Sequence, residues 1–386
     1  MRLRPSESGG VPEVAPARLE TTDSLAIRTH LQEHGFACVR CAVGTAELRV
    51  AEDLLWQHLE GTEAATRRMT QVRPVGWRRN EPTTWVEGHG DALMTSTTHC
   101  ASMWYVRGRP GVIQAFHAAY GTTDDAELVA AYDRMSVNLP TSSGNPGALR
   151  VAGTTSHNGK FGVAQQMHTH SGQFYGPDFH GPEYYAIVPL FDMNRKTGAT
   201  ALVPGSHLKV AEINRRREER WGGKSRGQDS DATKLAAAAD VEVFQECGGL
   251  QPCVTSIKAG DCVLFDTRLF HGGCAAEDPS GESGNGPNQL LRAIYILGMT
   301  PTRLQTPVIL QARRKAYELD LFWPPPVPHA ELAGHIMAGE FDRVPAKSLF
   351  RHLLRDNEAQ KRVRRFEEAD PVVQQLIDPS YRPSKL

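Results

Sequence analysis

Two histidines separated by one residue, and a third much later in the chain, are the side chains best suited to chemistry. His168 and His170 lie in the stretch QQMHTHSGQFYGPDFH at 165–180. In a β-strand, side chains at i and i+2 point to the same face, so the two imidazoles could bind one transition metal together. His271, in VLFDTRLFHGG, could complete a facial set of three ligands. The HxH motif alone is weakly specific, because the chain contains 15 histidines.

A block of short strands must position these histidines. Strand patterns separated by turn residues concentrate in residues 161–300, and helical patterns precede and follow them. This order predicts an α+β protein that is mainly β at its centre, with the sheets of a jelly roll or barrel. A parallel doubly wound fold is disfavoured, because helices do not alternate with the strands and no glycine-rich phosphate loop follows any of them.

Local signals mark several element boundaries. Thr22 or Asp23 can cap a helix that begins there. Pro110 suits the first turn of another helix, which Gly121 would end. The segment CVTSIKAGDCVLFDT at 253–267 predicts a hairpin that turns at its central Ala-Gly-Asp.

The domain organisation expected from the sequence has three parts. Residues 1–20 are expected to form a disordered lead-in, since they carry charge and proline but no apolar segment. Residues 21–310 are expected to form the β-rich domain, with a charged insertion at 211–250. Residues 311–386 are expected to form a helical extension, interrupted by the proline-rich WPPPVPH.

The composition argues against several kinds of partner. Lys+Arg 43 against Asp+Glu 44 leaves a net charge of -1, so no basic excess favours nucleic acid or a membrane surface. No run approaches the roughly 18 apolar residues of a membrane span, and the N-terminal segment has no apolar core typical of a secretory signal. We expect a cytoplasmic protein whose seven scattered cysteines are reduced. The sequence carries no signal for its oligomeric state.

Four motifs follow one another in an order that matches a known family. They are HTH at 168–170, PGSH at 204–207, AGDCVLFDTRLFHGG at 259–273, and Arg292 in the next strand. This series resembles the phytanoyl-CoA dioxygenase-like family of non-haem iron, 2-oxoglutarate-dependent oxygenases, over about residues 23–320. The resemblance implies a double-stranded β-helix, which is a cupin-like jelly roll. N-terminal helices would pack on one sheet, and a helical extension would follow at the C-terminus.

The resemblance also implies roles for single residues. His168 and His271 match the two iron-binding histidines of the family, and Arg292 matches the arginine that binds the far carboxylate of 2-oxoglutarate. A planar guanidinium suits this role, because it pairs with a carboxylate through two hydrogen bonds. Thr200 and Gln166 are further candidates for contact with the cosubstrate, although a plain strand threonine is an equal reading of Thr200. No catalytic side chain is expected beyond the metal centre.

The sequence departs from the family pattern at the third ligand, where His170 replaces the acid of His-x-Asp. His170 could bind iron itself, and the resulting three-histidine site would leave the metal more positive. Alternatively, Asp178 or Glu183 could supply the carboxylate. The site could also be degenerate, or prefer Zn(II), and catalyse no oxidation. A halide-transferring variant is disfavoured, because such enzymes usually carry a small residue at this position and a histidine would fill the vacated site.

The function implied by the resemblance is that of an Fe(II)- and 2-oxoglutarate-dependent dioxygenase. It would use dioxygen to hydroxylate a C–H bond of a small metabolite, either lipid-like or a secondary metabolite. The alternative is a non-catalytic or metal-binding jelly-roll protein that has lost turnover, and the missing acid is its main support. Among nearby polar residues, His207 is expected to lie in a turn, and Asp266 and Arg268 are expected to form a surface ion pair.

Overall fold

The computed structural model covers most of the expected strand block and its flanking helices. The residues it describes are 2–4, 12–61, 77–81, 84, 93–94, 97–122, 128–138, 169, 183–221, 239–273, 290, 292–319, 321, 330–338 and 366–380. The helices in these ranges are α1 (Ser24–His34), α2 (Thr45–Leu59), α3 (Ala101–Arg107), α4 (Pro110–Tyr120), α5 (Val210–Trp221), α6 (Ala239–Glu246), α7 (Pro307–Glu318), α8 (Ala330–Ala338) and α9 (Pro371–Ile377). None of these helices has the length and apolar composition needed to cross a membrane.

The described strands form two sheets. In chain order they are β1 (Arg2–Arg4), β2 (Glu13–Ala15), β3 (Arg18–Leu19), β4 (Phe36–Val39), β5 (Leu93–Met94), β6 (Leu128–Ala130), β7 (Met135–Asn138), β8 (Tyr184–Pro189), β9 (Thr200–Leu202), β10 (Cys253–Thr255), β11 (Cys262–Asp266), β12 (His271–Gly273) and β13 (Arg292–Pro301). Within the described ranges, the small sheet has the order β1-β2-β10-β9-β12. The large sheet has the order β3-β4-β11-β8-β13-β7-β5, and β6 pairs with the far end of β13.

Alternation along the strands divides the core into two layers. In β8, Tyr184, Ala186 and Val188 belong to the cluster shared with the helices, whereas Tyr185 and Ile187 belong to the cluster between the sheets. The strands β4, β11 and β13 alternate in the same way, as side chains on a strand must. Helices therefore cover one face of the large sheet, and the small sheet covers the other. This arrangement confirms the expected α+β class, with a double-stranded β-helix and N-terminal helices packed on one sheet.

The helix boundaries follow the local signals. Asp23 caps α1 by accepting a hydrogen bond from the Ala26 N–H at 3.0 Å, and Gly35 ends it with φ of 79°. Pro110 stands in the first turn of α4, and Gly121 ends that helix with φ of 69°. Both predictions are confirmed, because caps and terminal glycines act through their immediate neighbours.

The predicted hairpin at 253–267 is wrong. Both of its strands form, but β10 pairs with β9 and β2 in the small sheet, whereas β11 pairs with β4 and β8 in the large sheet. The turn at Gly260 carries the chain from one sheet to the other. Gly260 has φ of 78°, and a Cβ there would lie 2.1 Å from the Val43 carbonyl oxygen, so only glycine fits. The turn forms where the Ala-Gly-Asp signal predicts it, but a turn signal does not decide which strands pair.

The N-terminal segment also differs from expectation. Residues 12–20, expected to be part of a disordered lead-in, contain β2 and β3. β2 runs parallel to β10 of the small sheet, and β3 runs parallel to β4 of the large sheet. Arg18 in β3 donates two hydrogen bonds of 2.7 Å to the Asp261 carboxylate. The strand pairing and this ion pair together attach the segment to both sheets.

The C-terminal helices are attached through a buried arginine. Thr306 caps α7, and its hydroxyl accepts a hydrogen bond from the Ile309 N–H at 3.3 Å. Arg313 of α7 is fully buried and donates to the carbonyl oxygens of Ala130 in β6 and Ile377 in α9. This guanidinium therefore connects the helical segment after residue 310 to the large sheet.

Candidate metal centre

His271 is the predicted metal ligand whose surroundings the structure describes. It is the first residue of β12, where it lies opposite Leu202 of β9. Its ring is buried, and its centroid lies 4.5 Å from that of Phe265. Because Phe265 belongs to the cluster between the sheets, the imidazole of His271 points into the interior of the sandwich.

A hydrogen bond selects the tautomer of His271. Its Nδ1 lies 2.9 Å from the Leu269 carbonyl oxygen. A carbonyl can only accept, so Nδ1 carries the hydrogen and donates it. In the neutral ring the lone pair then resides on Nε2, which is the atom that could bind a metal. Histidine ligands usually donate their other N–H in this way, so His271 has the form that a metal ligand requires.

Arg292 is the first residue of β13, the strand that follows β12 along the chain. Its side chain is buried, with 8% exposed. Ile294, two residues later, belongs to the cluster between the sheets, so Arg292 shares that face by strand alternation. A guanidinium in this environment needs an anion or other acceptors, because an uncompensated buried charge is costly. The position suits a residue that binds a carboxylate between the two sheets.

Thr200 lies on the same face of the small sheet as His271. In the antiparallel pair of β9 and β12, Thr200 is opposite Gly273 and Leu202 is opposite His271, so these side chains share a face. Thr200 is buried, and its hydroxyl lies 4.0 Å from the sulfur of Met193. Contact with a cosubstrate stays a prediction for Thr200.

Several predicted site residues lie outside the described residues. They are His168, His170, Gln166 and Asp178. Thr169, between the two histidines, is described and is buried. Across the described ranges, no group of three or more histidine, cysteine, aspartate or glutamate side chains is arranged to hold a metal ion. The three-histidine ligand set therefore remains a prediction.

Glu183, the other candidate carboxylate, is described and buried, with 2% exposed. Its backbone oxygen accepts from the Thr267 N–H at 2.9 Å, which places it at the end of the sandwich where β11 leads towards His271. The Thr300 hydroxyl donates to its Oε1 at 3.4 Å. Burial raises the pKa of Glu183 well above its ordinary value; the bond from Thr300 opposes this shift, and the charge of Asp266 adds to it. A cation bound nearby would favour the ionised carboxylate and oppose this shift, so metal binding by Glu183 stays an alternative prediction.

We expect the raised pKa of Glu183 to appear in the pH dependence of stability. The folded protein keeps a proton that the unfolded chain releases above its ordinary pKa of 4.5. The stability that this bound proton contributes is therefore complete below the ordinary pKa of the carboxyl group. It is lost as the pH rises through the raised pKa of the folded state. In metal-free protein, Glu183→Gln should raise the urea midpoint at neutral pH but not at acid pH. The exposed Glu33→Gln should give no such gain, and equal pH dependences in the two variants would contradict the expectation.

Asp266 and Arg268 form a closer pair than the surface contact expected from the sequence. Arg268 donates to both carboxylate oxygens of Asp266, at 2.8 and 2.6 Å, and its backbone N–H donates to the same carboxylate at 2.9 Å. The Asp266 side chain is buried, whereas Arg268 is half exposed. The Asp266 N–H donates to the Gly35 carbonyl oxygen at 2.8 Å. The pair therefore shapes the turn that leads from β11 to His271.

The PGSH motif forms the turn that was expected. Gly205 has φ of 81°, and a short 3-10 helix, Ser206–Leu208, follows it. His207 is buried in this turn, and its Nε2 donates to the Gln32 carbonyl oxygen at 3.1 Å. Ser206 is the residue that sequence reasoning missed, since its hydroxyl accepts from the Phe270 N–H at 2.9 Å. A serine directly after a Pro-Gly turn was the available signal in the sequence, but its partner lies 64 positions away in the chain.

A family model matches the central part of the chain. Residues 153–277 match the model described as Phytanoyl-CoA dioxygenase (PhyH). The matched range includes the HTH stretch, the PGSH turn and His271. The match confirms the resemblance seen in the motifs, and with it a non-haem iron, 2-oxoglutarate-dependent type of enzyme. No curated protein sequence matches the chain significantly.

Solved structures align with most of the chain at low identity. The non-heme alpha ketoglutarate dependent carbocyclase SnoK from nogalamycin biosynthesis shares 13% identity, covering 73% of this chain and 87% of that chain, with a TM-score of 0.45. EvdO2 from Micromonospora carbonacea var. aurantiaca, complexed with 2-oxoglutarate, shares 13% identity, covering 74% and 94% respectively, with a TM-score of 0.39. HygX from Streptomyces hygroscopicus, with nickel and 2-oxoglutarate bound, shares 14% identity, covering 72% and 87%, with a TM-score of 0.38. Because these identities and TM-scores are low, the ligands of those proteins assign no residue here.

Proposed function

We propose that this protein, an enzyme of the phytanoyl-CoA dioxygenase type, hydroxylates a C–H bond of a small metabolite. Its cofactor is Fe(II), and its cosubstrates are 2-oxoglutarate and dioxygen. The observation that carries the proposal is the tautomer of His271, whose Nδ1–H donates to Leu269 while its ring lies between the two sheets. The nature of the metabolite, lipid-like or a secondary metabolite, rests on the family match alone.

Three histidines hold the metal in this proposal. His271 presents Nε2 from β12, and His168 and His170 supply the other two imidazoles. Imidazole binds Fe(II) well, and a facial set of three protein ligands leaves the remaining positions for cosubstrates. When bound, the iron supplies the activation of dioxygen and the oxidising power for the C–H bond.

Arg292 holds the far carboxylate of 2-oxoglutarate. The planar guanidinium can donate two parallel hydrogen bonds to a carboxylate, and burial strengthens that ion pair by lowering the local dielectric. Its position at the start of β13 and its low exposure support this role.

The apolar cluster between the sheets keeps bulk water away from the site. Phe265 contacts the His271 ring, and Tyr185 stacks on Phe265 with 6.2 Å between ring centroids. A dry environment favours a controlled oxidation, because it limits the access of water and other side reactants to the site. These side chains position and shield the reactants; they exchange no proton with them.

The test is an anaerobic titration with Fe(II) and 2-oxoglutarate, followed by visible absorption. A chelated keto acid should produce a metal-to-ligand charge-transfer band. Absence of the band at saturating 2-oxoglutarate would contradict the proposal and favour a jelly-roll protein that has lost turnover.

Substitutions at His170 test the three-histidine ligand set separately. If His170 binds the metal, His170→Ala should weaken Fe(II) binding, because one ligand is lost. His170→Asp should retain it, because aspartate restores the carboxylate of the family pattern. Fe(II) affinity and the charge-transfer band are the measurements. If both variants bind iron like the parent protein, direct ligation by His170 is wrong.

A further inference from the structure

The turn formed by the PGSH motif is hydrogen-bonded to the backbone of Phe270, the residue that precedes His271. The Val203 N–H donates to the Phe270 carbonyl oxygen at 2.9 Å. The Phe270 N–H donates to the Ser206 hydroxyl, also at 2.9 Å. Both backbone polar groups of Phe270 are therefore held by residues 203–206, on either side of a tight turn.

Ser206 accepts this hydrogen bond from Phe270 in the dry interior. Its side chain is 0% exposed, and its own N–H donates to the Val203 carbonyl oxygen at 3.1 Å. A buried backbone N–H needs an acceptor, because water is not available to replace one. Removing the Ser206 hydroxyl would leave the Phe270 N–H without its acceptor, so this segment would have to shift to find another.

A shift of this segment would change the direction of the His271 ring. The ring is fixed by its Nδ1–H, which donates to the Leu269 carbonyl oxygen at 2.9 Å. Leu269 and His271 are the two neighbours of Phe270, so a movement of the Phe270 peptide moves both ends of that hydrogen bond. Small rotations of the imidazole ring would weaken metal binding, because a ligand nitrogen must point at the metal along its lone pair.

The turn is itself anchored to the end of α1. The Gly205 N–H donates to the His34 carbonyl oxygen at 2.9 Å, and His207 Nε2 donates to Gln32 at 3.1 Å. At Gly35 there is no room for a side chain, since a Cβ would lie 2.5 Å from the His207 ring and 2.7 Å from a Leu269 methyl carbon. The turn therefore rests on a rigid helix end, and movement of the Ser206 hydroxyl is restrained.

We infer that Ser206 is a positioning residue of the metal centre, whose hydroxyl fixes the Phe270 peptide and so aims Nε2 of His271. The inference rests on the proposed function, because it assumes that His271 binds the metal. It assigns to the serine of the PGSH motif a role that acts through the backbone, without contact with metal or substrate.

Co(II) titration of Ser206→Ala tests the inference, with visible ligand-field absorption as the readout. We expect affinity for Co(II) to fall about tenfold and the absorption spectrum to change, since supporting residues around metal sites have effects of that size. Ser102→Ala is the matched control. Ser102 is also 0% exposed, and its hydroxyl donates to the Ala51 carbonyl oxygen at 2.7 Å in the helical layer. The Ser102→Ala variant should lose stability but bind Co(II) as the parent protein does.

The outcomes separate this inference from the proposed metal centre. If His271→Ala binds Co(II) as tightly as the parent, the metal centre itself is wrong. If His271→Ala loses binding while Ser206→Ala keeps the parent affinity and spectrum, only the positioning role is wrong. Should Ser206→Ala fail to fold, Ser206→Cys replaces it, because a thiol is similar in size and a weaker acceptor. An unchanged affinity and spectrum in Ser206→Cys would then overturn the inference.

Discussion

His271→Ala is expected to abolish iron binding and the decarboxylation of 2-oxoglutarate. In the proposed metal centre, the substitution removes Nε2, the ring nitrogen opposite the Nδ1 that bonds to the Leu269 carbonyl oxygen. Loss of a protein ligand should weaken Fe(II) binding by more than about 100-fold, since even supporting residues cost 10–100-fold. Anaerobic Fe(II) titration and the formation of succinate measure the two effects.

His117→Ala is the control for the loss of a buried imidazole. His117 is as buried as His271, but it lies on α4 in the helical layer, where its Nδ1 pairs with the Thr122 hydroxyl at 2.6 Å. It should lower stability and leave iron affinity unchanged. Equal iron affinities for the two variants would mean that His271 does not bind the metal, and the oxygenase proposal would lose its main support.

Arg18→Met is expected to cause a large loss of stability. The Asp261 carboxylate is fully buried, and it accepts two hydrogen bonds from Arg18 and a third from the Cys41 N–H at 3.0 Å. Removing Arg18 leaves the buried carboxylate without its counter-charge. Because 41% of the Arg18 side chain is exposed, solvent screens part of this loss, and we expect a cost of about 2 kcal/mol. Methionine preserves the packing of the stem. Urea-induced unfolding measures the change.

The Arg40 and Glu20 pair provides the comparison. It lies in the same N-terminal region, at 2.6 Å, but both side chains are about half exposed. Arg40→Met should therefore cost about 1 kcal/mol or less. In the double variant Arg18→Met/Asp261→Asn, part of the loss should be recovered, because asparagine carries no charge to bury. If Arg18→Met costs no more than Arg40→Met, the N-terminal strand is not held by this ion pair.

The elements that depend on local signals could be predicted from the sequence. The cap at Asp23, the proline at 110 and the glycine at 121 mark helix ends through contacts within one turn. The strand at 292–301 was visible in its apolar run, and the Pro-Gly turn before Ser206 was visible in its composition. In each case the interacting residues are neighbours in the chain.

Pairings between distant segments could not be predicted in this way. The strand patterns at 253–255 and 262–266 are recognisable, but the two strands join different sheets, and nothing in a turn signal excludes that. Arg18 and Asp261 are 243 positions apart, so no local pattern connects them. Composition predicts a disordered lead-in at residues 1–20, although residues 12–20 contain two strands, because composition carries no information about a single ion pair with a distant buried partner.

The sequence by itself determined which atoms are available for chemistry: the imidazoles, the guanidinium of Arg292, and their order along a family pattern. The tertiary structure decided which nitrogen of His271 carries the hydrogen, because that depends on the Leu269 carbonyl oxygen. It also decided that Arg292 faces the space between the sheets and that Ser206 holds the Phe270 peptide. The physical reason is that residue types are local properties, whereas the direction of a lone pair and the burial of a charge are set by neighbours that only folding brings together.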